Sequence, residues 1–219
     1  ISVDLQCPSS EEAICSLFLS RYIKGVRNVE SPSWLQERLE AIGLRPISAV
    51  VDITNYLTFD CNRPVHAFDA DRIKGNNLQV KLDSGDTSFK ALNDKSYILD
   101  NQMTVISDSE GVVSLAGVIG GERTACTEET VNVFLEVALF DPVRTASTGR
   151  KLGIDSDARY RFERGVDPAF AENGMELATK MLIDLCGGEP SHVSVTGSIP
   201  IWQTKINFNS SKVNELGGV

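Results

Sequence analysis

VNVFLEVALFDP, residues 131–142, is a run of β-branched, aromatic and aliphatic side chains that ends in an aspartate and a proline. Such a run is typical of a β-strand. Asp141 and Pro142 suit the N-cap and first position of a helix, which we predict over Phe140 to Lys151. Glu136 interrupts the apolar run, and a carboxylate is costly when it is buried without partners. It is therefore predicted either to lie on the exposed face of an edge strand or to face a polar pocket.

Further strand-like runs lie on the N-terminal side, separated by clusters of turn-forming residues. Between Leu78 and Ile119 the runs are LQVKLD, FKALN, SYILD, MTVISD and VVSLAGVI, broken by clusters such as DSGD, NDKS and DSEG. Another strand is predicted from Ser16 to Val26, where β-branched and aromatic residues partly alternate with polar ones. Short strands joined by such turns predict a mixed or antiparallel β-sheet core.

Three more helical patterns flank these strands. The first begins near Pro32, which suits a first helical position, and a capping box of Ser33 and Gln36 is the alternative start. The second covers Ala49 to Phe59, although its β-branched residues also fit a strand. The third runs from Asp167 to Cys186, between an Asp-Pro start and a Gly-Gly end. The predicted fold class is α+β, with a mixed or antiparallel sheet core and flanking helices.

The composition excludes several classes of protein. Of 219 residues 42% are hydrophobic, enough for a sizeable core, and the net charge is −9. An acidic chain binds the phosphate backbone poorly, so any nucleic-acid contact must be local. No apolar run approaches the roughly 18 to 20 residues of a membrane span. The N-terminus ISVDLQCPSSEE lacks the layout of a signal peptide. We expect a cytoplasmic protein whose five scattered cysteines, without a CxxC pair, are reduced.

The two ends of the sequence predict a division of the chain. It opens with isoleucine and stops soon after a new strand-like run, KINFN, and a helix-like run, SSKVNELGG. We predict a main domain over residues 1–199. Residues 200–219 are predicted to be a connector and the truncated start of a following domain.

NRPVHAFDADRI, residues 62–73, contains one of only two histidines. A metal site would need partner ligands, and the other histidine, His192, has no HExxH motif, CxxC pair or carboxylate cluster beside it. The remaining interpretations of His66 are a hydrogen-bonded structural residue or a member of a cleft, since it follows a predicted helix at a turn.

Two other stretches leave alternatives open. SLAGVIGGERT, residues 114–124, fits neither the dinucleotide-binding nor the P-loop spacing, so its glycines indicate either a β-turn or, at Gly117, a ligand close to the backbone. RTASTGRKLGIDSDARYRFERG, residues 144–165, concentrates arginines and lysine among three acids. Salt bridges on a solvated face and a docking strip for a few phosphates explain it equally well.

Taken together, VVDITNYLTFDCNRPVHAFDADRI, SLAGVIGGERT, VFLEVALFDP and DSDARYRFERGVDP resemble the B3/B4 region of the bacterial-type phenylalanyl-tRNA synthetase β subunit. The resemblance is collinear from about Ser20 to Gly188. The last residues, INFNSSKVNELGGV, resemble the opening of the B5 domain that follows in that subunit. The resemblance implies an editing domain that hydrolyses tyrosine wrongly esterified to tRNA for phenylalanine.

The resemblance also implies the residues of an editing pocket. The family positions correspond to Thr54, Asn55, His66, Gly117, Glu136, Ser156 and Ala158, where Ser156 departs from the family threonine but keeps its hydroxyl. Glu136 is the expected acceptor for the tyrosine hydroxyl. His66 and Asn55 are expected to orient water and ester, with the backbone near Gly117 donating to the substrate. Neither a metal nor a covalent nucleophile is required, and whether His66 is a general base stays open.

The implied partners are those of a synthetase. The 3′ end of the tRNA is expected to contact Arg144, Arg150 and Lys151, while other domains hold the tRNA body. The resemblance implies an α subunit in an α2β2 assembly, which would bind ATP and magnesium, and no cofactor in this part. A free-standing deacylase and a structural module without catalysis are the alternatives.

Overall fold

The computed structural model describes residues 1–6, 13–201, 203 and 205–218. Cys7 lies outside the described residues, and the other four cysteines are free thiols. No helix in the described part of the chain is long and apolar enough to cross a membrane.

The described chain forms twelve strands and six α-helices, and a run of strands, from residue 77 to residue 120, lies between the second and third helices. The strands are β1 (Ser2–Leu5), β2 (Cys15–Lys24), β3 (His66–Asp69), β4 (Asn77–Leu82), β5 (Ser88–Lys90), β6 (Ser96–Ile98), β7 (Thr104–Asp108), β8 (Gly111–Leu115), β9 (Ile119–Gly120), β10 (Asn132–Phe140), β11 (Glu189–Pro190) and β12 (Ser194–Gly197). The helices are α1 (Ser33–Ala41), α2 (Ala49–Asp60), α3 (Pro142–Leu152), α4 (Asp157–Phe162), α5 (Ala171–Cys186) and α6 (Ser211–Gly217).

Two sheets and a hairpin organise the strands. The first sheet has the antiparallel order β11–β2–β10–β3, and β12 also pairs with β2. The second sheet has the order β1–β4–β7–β8–β9, in which only the pair β1 and β4 is parallel. Strands β5 and β6 form a separate hairpin. The predicted α+β class with a mixed, mainly antiparallel sheet core is confirmed.

Strand β10 separates the two main parts of the core. Its odd-numbered side chains from Val133 to Leu139 pack with buried residues of α1, α2 and α5. Phe134, Ala138 and Phe140 face the other way and pack with residues of the second sheet such as Val80 and Ile106. The layers are therefore helices, first sheet and second sheet. Because both faces of β10 are covered, its sequence is a nearly continuous apolar run rather than an alternating one.

Helix α2 settles the alternative between helix and strand for residues 49–59 in favour of the helix. Val50, Ile53 and Leu57, which recur at helical spacing, are buried on one face. The Asp52 carboxylate accepts hydrogen bonds from the Ser31 hydroxyl and the Ile47 N–H, which fixes the start of the helix. Tertiary contacts therefore override the strand preference of its β-branched residues.

Other predicted helix ends are partly confirmed. The Asp141 carboxylate caps α3 by accepting from the N–H of Arg144, and Pro142 follows it as predicted. The capping box of Ser33 and Gln36 is wrong, because α1 has no side-chain cap and Gln36 instead donates to the Ser31 carbonyl. The Asp-Pro start at Asp167 forms a 3₁₀ turn, and α5 begins after it.

Several local features differ from the sequence prediction, and the short strands β1, β11 and β12 were not predicted. Strand β3 and helix α4 were not predicted, since each is short and carries a weak periodic signal. The strand predicted for KINFN is wrong, because residues 205–209 form no strand. The helix predicted after it is confirmed as α6. The division between residues 1–199 and 200–219 stays a prediction.

Replacing Leu135 by alanine should lower the free energy of unfolding by about 2–5 kcal/mol, because a cavity would open between β10 and the helix layer. Leu135 is 1% exposed. Urea denaturation followed by circular dichroism measures the loss. The control Val195→Ala lies on β12, where Val195 is 57% exposed, and should change stability by less than about 0.5 kcal/mol. Equal losses would contradict the layer arrangement.

Candidate functional site

Glu136 lies in the middle of β10, between two hydrogen-bonded neighbour strands. It is 6% exposed, and it pairs directly with Ser20 of β2 and His66 of β3. The interpretation of Glu136 as an exposed residue on an edge strand is therefore wrong. Directly opposed residues of antiparallel strands have Cβ atoms about 4.5–5.5 Å apart. The carboxyl and the imidazole are thus neighbours on the same face of the first sheet.

A small cavity opens in front of this pair. Its volume is about 70 Å³, which is room for about two waters at roughly 30 Å³ each. This is well below the roughly 300–1,000 Å³ of typical ligand pockets. A larger ligand would have to displace side chains at its mouth. The side chains and turns that line it include His66, Gly117, Gly120, Glu136, Ala158 and Phe162.

The His66 imidazole is held between an aromatic ring and a glycine. It packs edge to face on Phe68, with ring centroids 4.3 Å apart. On the other side, a Cβ atom on Gly120 would lie 2.6 Å from His66 Cε1 and 3.0 Å from Nε2. Only a residue without a side chain leaves room for the ring there. Burial lowers the pKa of His66 to about 4, so the imidazole is neutral at pH 7.

The Glu136 carboxyl is buried with an unused oxygen. Among the described residues no hydrogen-bond partner reaches its Oε2. Burial raises the pKa of Glu136 to about 8, because the cavity disfavours the charged form. At neutral pH the group is mostly protonated and can donate a hydrogen bond as well as accept one. This extends the expectation of a simple acceptor.

Gly117 and Ala158 line the cavity, whereas Ser156 lies outside its lining. Gly117 has a φ of +69°, and a Cβ there would crowd Phe140 and Thr145 at 3.1 Å. The Ser156 hydroxyl donates to the Val118 carbonyl and accepts from the Arg159 N–H. It therefore caps α4 and ties that helix to the turn at Gly117.

Thr54 and Asn55 do not line the cavity in this conformation. Both are half-buried on α2, and the Thr54 hydroxyl donates to the Val51 carbonyl. Asn55 lies one helical turn before Phe59. The Cζ atom of Arg161 in α4 lies 4.4 Å from the centre of the Phe59 ring. Helical spacing puts Asn55 on the same face as Phe59, toward α4. The structure thus brings His66, Gly117, Glu136 and Ala158 together at the cavity. Asn55 lies outside the residues that line it.

The basic segment is largely engaged within the protein. Lys151 Nζ lies 2.6 Å from an Asp100 oxygen, and the Arg144 guanidinium donates to the Gln102 carbonyl. Arg150 is exposed near the end of α3. In α4, Arg159 and Arg161 pair with acids one turn away. Salt bridges explain much of this segment, and the tRNA contacts of Arg144, Arg150 and Lys151 stay a prediction.

The second histidine does not join the site. His192 is exposed between β11 and β12. Within the part of the chain that the structure describes, no three His, Cys, Asp or Glu side chains are grouped as metal ligands would be.

Gly120 is a site residue that the sequence analysis did not single out, and Phe162 is another. Gly120 is the second glycine of SLAGVIGGERT, and its role depends on the ring of His66, which comes from another strand. The cluster of glycines was the only sequence signal for it.

The comparisons with known proteins all indicate the same family. The sequence model described as "B3/4 domain" matches residues 14–187. Among similar proteins are two phenylalanine–tRNA ligase beta subunits. That of Paramagnetospirillum magneticum is 53% identical over all of this chain and 27% of its own length. That of Ruegeria pomeroyi is 55% identical over 94% of this chain and 26% of its own length. The chain thus spans about a quarter of these relatives.

A solved structure supports the fold. It is the N-terminal fragment of the phenylalanyl-tRNA synthetase beta subunit from Pyrococcus horikoshii, with a TM-score of 0.54 and 15% identity. The match covers 99% of this chain and 60% of that one. At this identity the likeness concerns the fold alone.

Glu136 and His66 should make stability depend on pH in opposite directions. The pKa of Glu136 rises from 4.5 to about 8 on folding, so its contribution is present below pH 4.5 and is lost as the pH rises toward 8. The pKa of His66 falls from 6.5 to about 4, so its contribution is present above pH 6.5 and is lost as the pH falls toward 4. Between pH 6.5 and 8 only Glu136 of this pair changes.

Glu136→Gln should therefore flatten the decline in the free energy of unfolding between pH 6.5 and 8. The slope removed is at most about 1.4 kcal/mol per pH unit. Urea denaturation of both proteins at several pH values measures it. An unchanged slope in Glu136→Gln would show that the carboxyl is not buried as a neutral group.

Proposed function

Because the chain belongs to the B3/4 domain family and is homologous to that region of phenylalanine–tRNA ligase beta subunits, we propose that it is an editing domain. It hydrolyses the ester that joins tyrosine wrongly to tRNA for phenylalanine. The observation that carries this proposal is the buried Glu136 carboxyl, with an unpartnered oxygen, opposite a neutral His66 in one cavity. A polar group in such a setting is suited to receive a ligand hydroxyl.

Discrimination follows from the chemistry of that carboxyl. Tyrosine and phenylalanine differ by one hydroxyl, which an apolar pocket cannot reject strongly. A tyrosine hydroxyl satisfies Glu136, whereas phenylalanine would leave the buried carboxyl unpaired at a cost of about 1–3 kcal/mol. The protonated carboxyl serves either as donor to the phenol oxygen or as acceptor of its proton. The small cavity must widen to admit the aromatic ring.

Hydrolysis requires a placed water and stabilisation of the negative charge that develops on the ester oxygen. In the proposed mechanism the neutral His66 accepts a hydrogen bond from that water, which attacks the ester carbonyl carbon. The bond to the ribose oxygen then breaks, the ribose oxygen takes up the proton that the water loses, and tyrosine leaves as the free acid. Asn55 orients the ester from α2, and backbone groups near Gly117 contact the substrate. Ala158 contributes only a methyl group to the cavity wall. The hydroxyl groups of Thr54 and Ser156 stabilise α2 and α4, respectively.

The pH dependence separates two roles of His66. With a pKa of about 4, a general base would be in its active form throughout the neutral range. Deacylation would then fall only under acidic conditions, as the imidazole is protonated. If His66 only orients water, protonation removes a hydrogen-bond acceptor rather than the base. The acid limb then lies at the same pH, but the rate falls only by the factor that this hydrogen bond supplies.

The remaining activities belong to a longer enzyme in this proposal. The parent synthetase attaches phenylalanine to its tRNA with ATP and magnesium, which an α subunit binds in an α2β2 assembly in the cytoplasm. Only the tRNA 3′ end enters this domain, near Arg144, Arg150 and Lys151. The net charge of −9 supports this division of labour, since an acidic domain is unsuited to hold the tRNA body.

A structural module without catalysis is the second candidate. The small cavity, about 70 Å³, and the position of Thr54 and Asn55 outside its lining favour it. In that case the domain only spaces its neighbours and offers them contact surface. A free-standing deacylase would use the same residues as the editing domain.

Substitution of the two central residues tests the proposal in the parent α/β enzyme. His66→Ala and Glu136→Gln should each slow deacylation of tyrosyl-tRNA for phenylalanine by more than about tenfold, the effect of a lost general-base or hydrogen-bond contact. Phenylalanine attachment should persist, because it takes place elsewhere. Radiolabelled aminoacyl-tRNA gives both rates.

Matched controls come from exposed residues of the same types. His192→Ala and Glu172→Ala remove a histidine and a glutamate at exposed positions and should leave deacylation unchanged. If His66→Ala and Glu136→Gln deacylate as fast as the controls, the structural module is the better explanation.

A further inference from the structure

Leu92 is an exposed apolar residue in a fixed position. It lies at the tip of the hairpin of β5 and β6 and is 47% exposed. The tip is held by its own hydrogen bonds, from the N–H of Ala91 to the Lys95 carbonyl and from the Asn93 amide to the Tyr97 hydroxyl. The tip is therefore a built structure rather than a loose turn.

The hairpin tip is attached to the site. The N–H of Leu92 donates to the Gly120 carbonyl at 3.0 Å, and Ala91 forms an antiparallel bridge with Gly121. Lys90 pairs with Glu122 at 2.7 Å. These contacts hold Leu92 over the same glycine that His66 packs against.

Leu92 and His66 converge in front of Gly120. A Cβ on Gly120 would lie 2.9 Å from Leu92 Cδ1, 2.6 Å from His66 Cε1 and 3.0 Å from His66 Nε2. Because both side chains approach the same point, the leucine methyl group lies within about 6 Å of the Cε1–Nε2 edge of the imidazole. Phe68 packs against the ring as well, and Glu136 is the titratable residue opposite it. The charged residues of the tip, Asp94 and Lys95, are exposed.

We propose that Leu92 is a positioning residue that partly covers the Cε1–Nε2 edge of His66 and limits the access of bulk water to it. This inference rests on the proposed function and deepens it. With the edge covered, the water that reacts with the ester is one held between substrate and imidazole. Without this cover, bulk water would compete for the same nitrogen and weaken the hydrogen bond between His66 and the reacting water.

Acylation of histidine by diethyl pyrocarbonate tests the cover in the chain itself. The chain has two histidines, so His192 serves as an internal reference. Leu92→Ala should raise the acylation rate of His66 severalfold relative to His192, measured by mass spectrometry of peptides. Leu92→Met keeps an apolar cover and should retain the low rate. Ile98→Ala, on β6 of the same hairpin where Ile98 is 61% exposed, is the matched control.

Deacylation in the parent enzyme tests the consequence. Leu92→Ala should slow deacylation of tyrosyl-tRNA severalfold and move the acid limb of its pH profile upward, because a hydrated imidazole has a pKa closer to its usual value. Leu92→Met should retain the deacylation rate and the acid limb of the unsubstituted enzyme, and Ile98→Ala should do the same.

The outcomes separate the two proposals. If the unsubstituted enzyme deacylates and Leu92→Ala changes neither His66 acylation nor the pH profile, the role of Leu92 is wrong. If acylation of His66 rises but the rate and pH profile stay the same, the cover is supported and its role in hydrolysis is wrong. If the unsubstituted enzyme does not deacylate, the proposed function fails, while a raised acylation rate still supports the cover.

Discussion

Strand β10 is bonded on both edges and covered on both faces, and the character of the site depends on this. β2 and β3 take up its backbone groups, while helices and the second sheet cover its side chains. A carboxyl placed in such a strand is largely withdrawn from bulk water, and Glu136 is 6% exposed. Glu136 is consequently held as a mostly neutral acid, and the register that pairs it with His66 places both groups at the same cavity.

The geometry around the pair comes from glycines and short elements. Gly120 gives the imidazole its space, and Gly117 allows the turn that brings α4 to the cavity. Ser156 fixes that helix to the same turn, so that Ala158 and Phe162 complete the wall. Each contact is modest, yet together they hold a neutral acid and a neutral base side by side. Ester hydrolysis by a positioned water fits such a site better than chemistry that needs a charged nucleophile.

Local sequence was sufficient for most of the fold. The strand runs between Leu78 and Phe140 are found near their predicted places, and Asp141 with Pro142 starts α3 as expected. These signals depend on alternation, caps and turn residues within a few positions of one another. The errors fall where the signal is weak or where distant contacts decide. The predicted capping box of Ser33 and Gln36 does not form, because the Gln36 amide donates to the Ser31 carbonyl. Strand β3 is too short to show a hydrophobic period.

The sequence by itself determined the α+β class, the positions of the long elements and, through its resemblance, the residues of interest. It left Glu136 between an exposed edge and a polar pocket, and His66 between a structural role and a cleft. Only the tertiary structure decided these, because strand order and register join residues that are 70 positions apart, beyond the reach of any local pattern. The same long-range packing made Ser156 a helix cap, put Asn55 outside the cavity and brought Leu92 to the edge of His66.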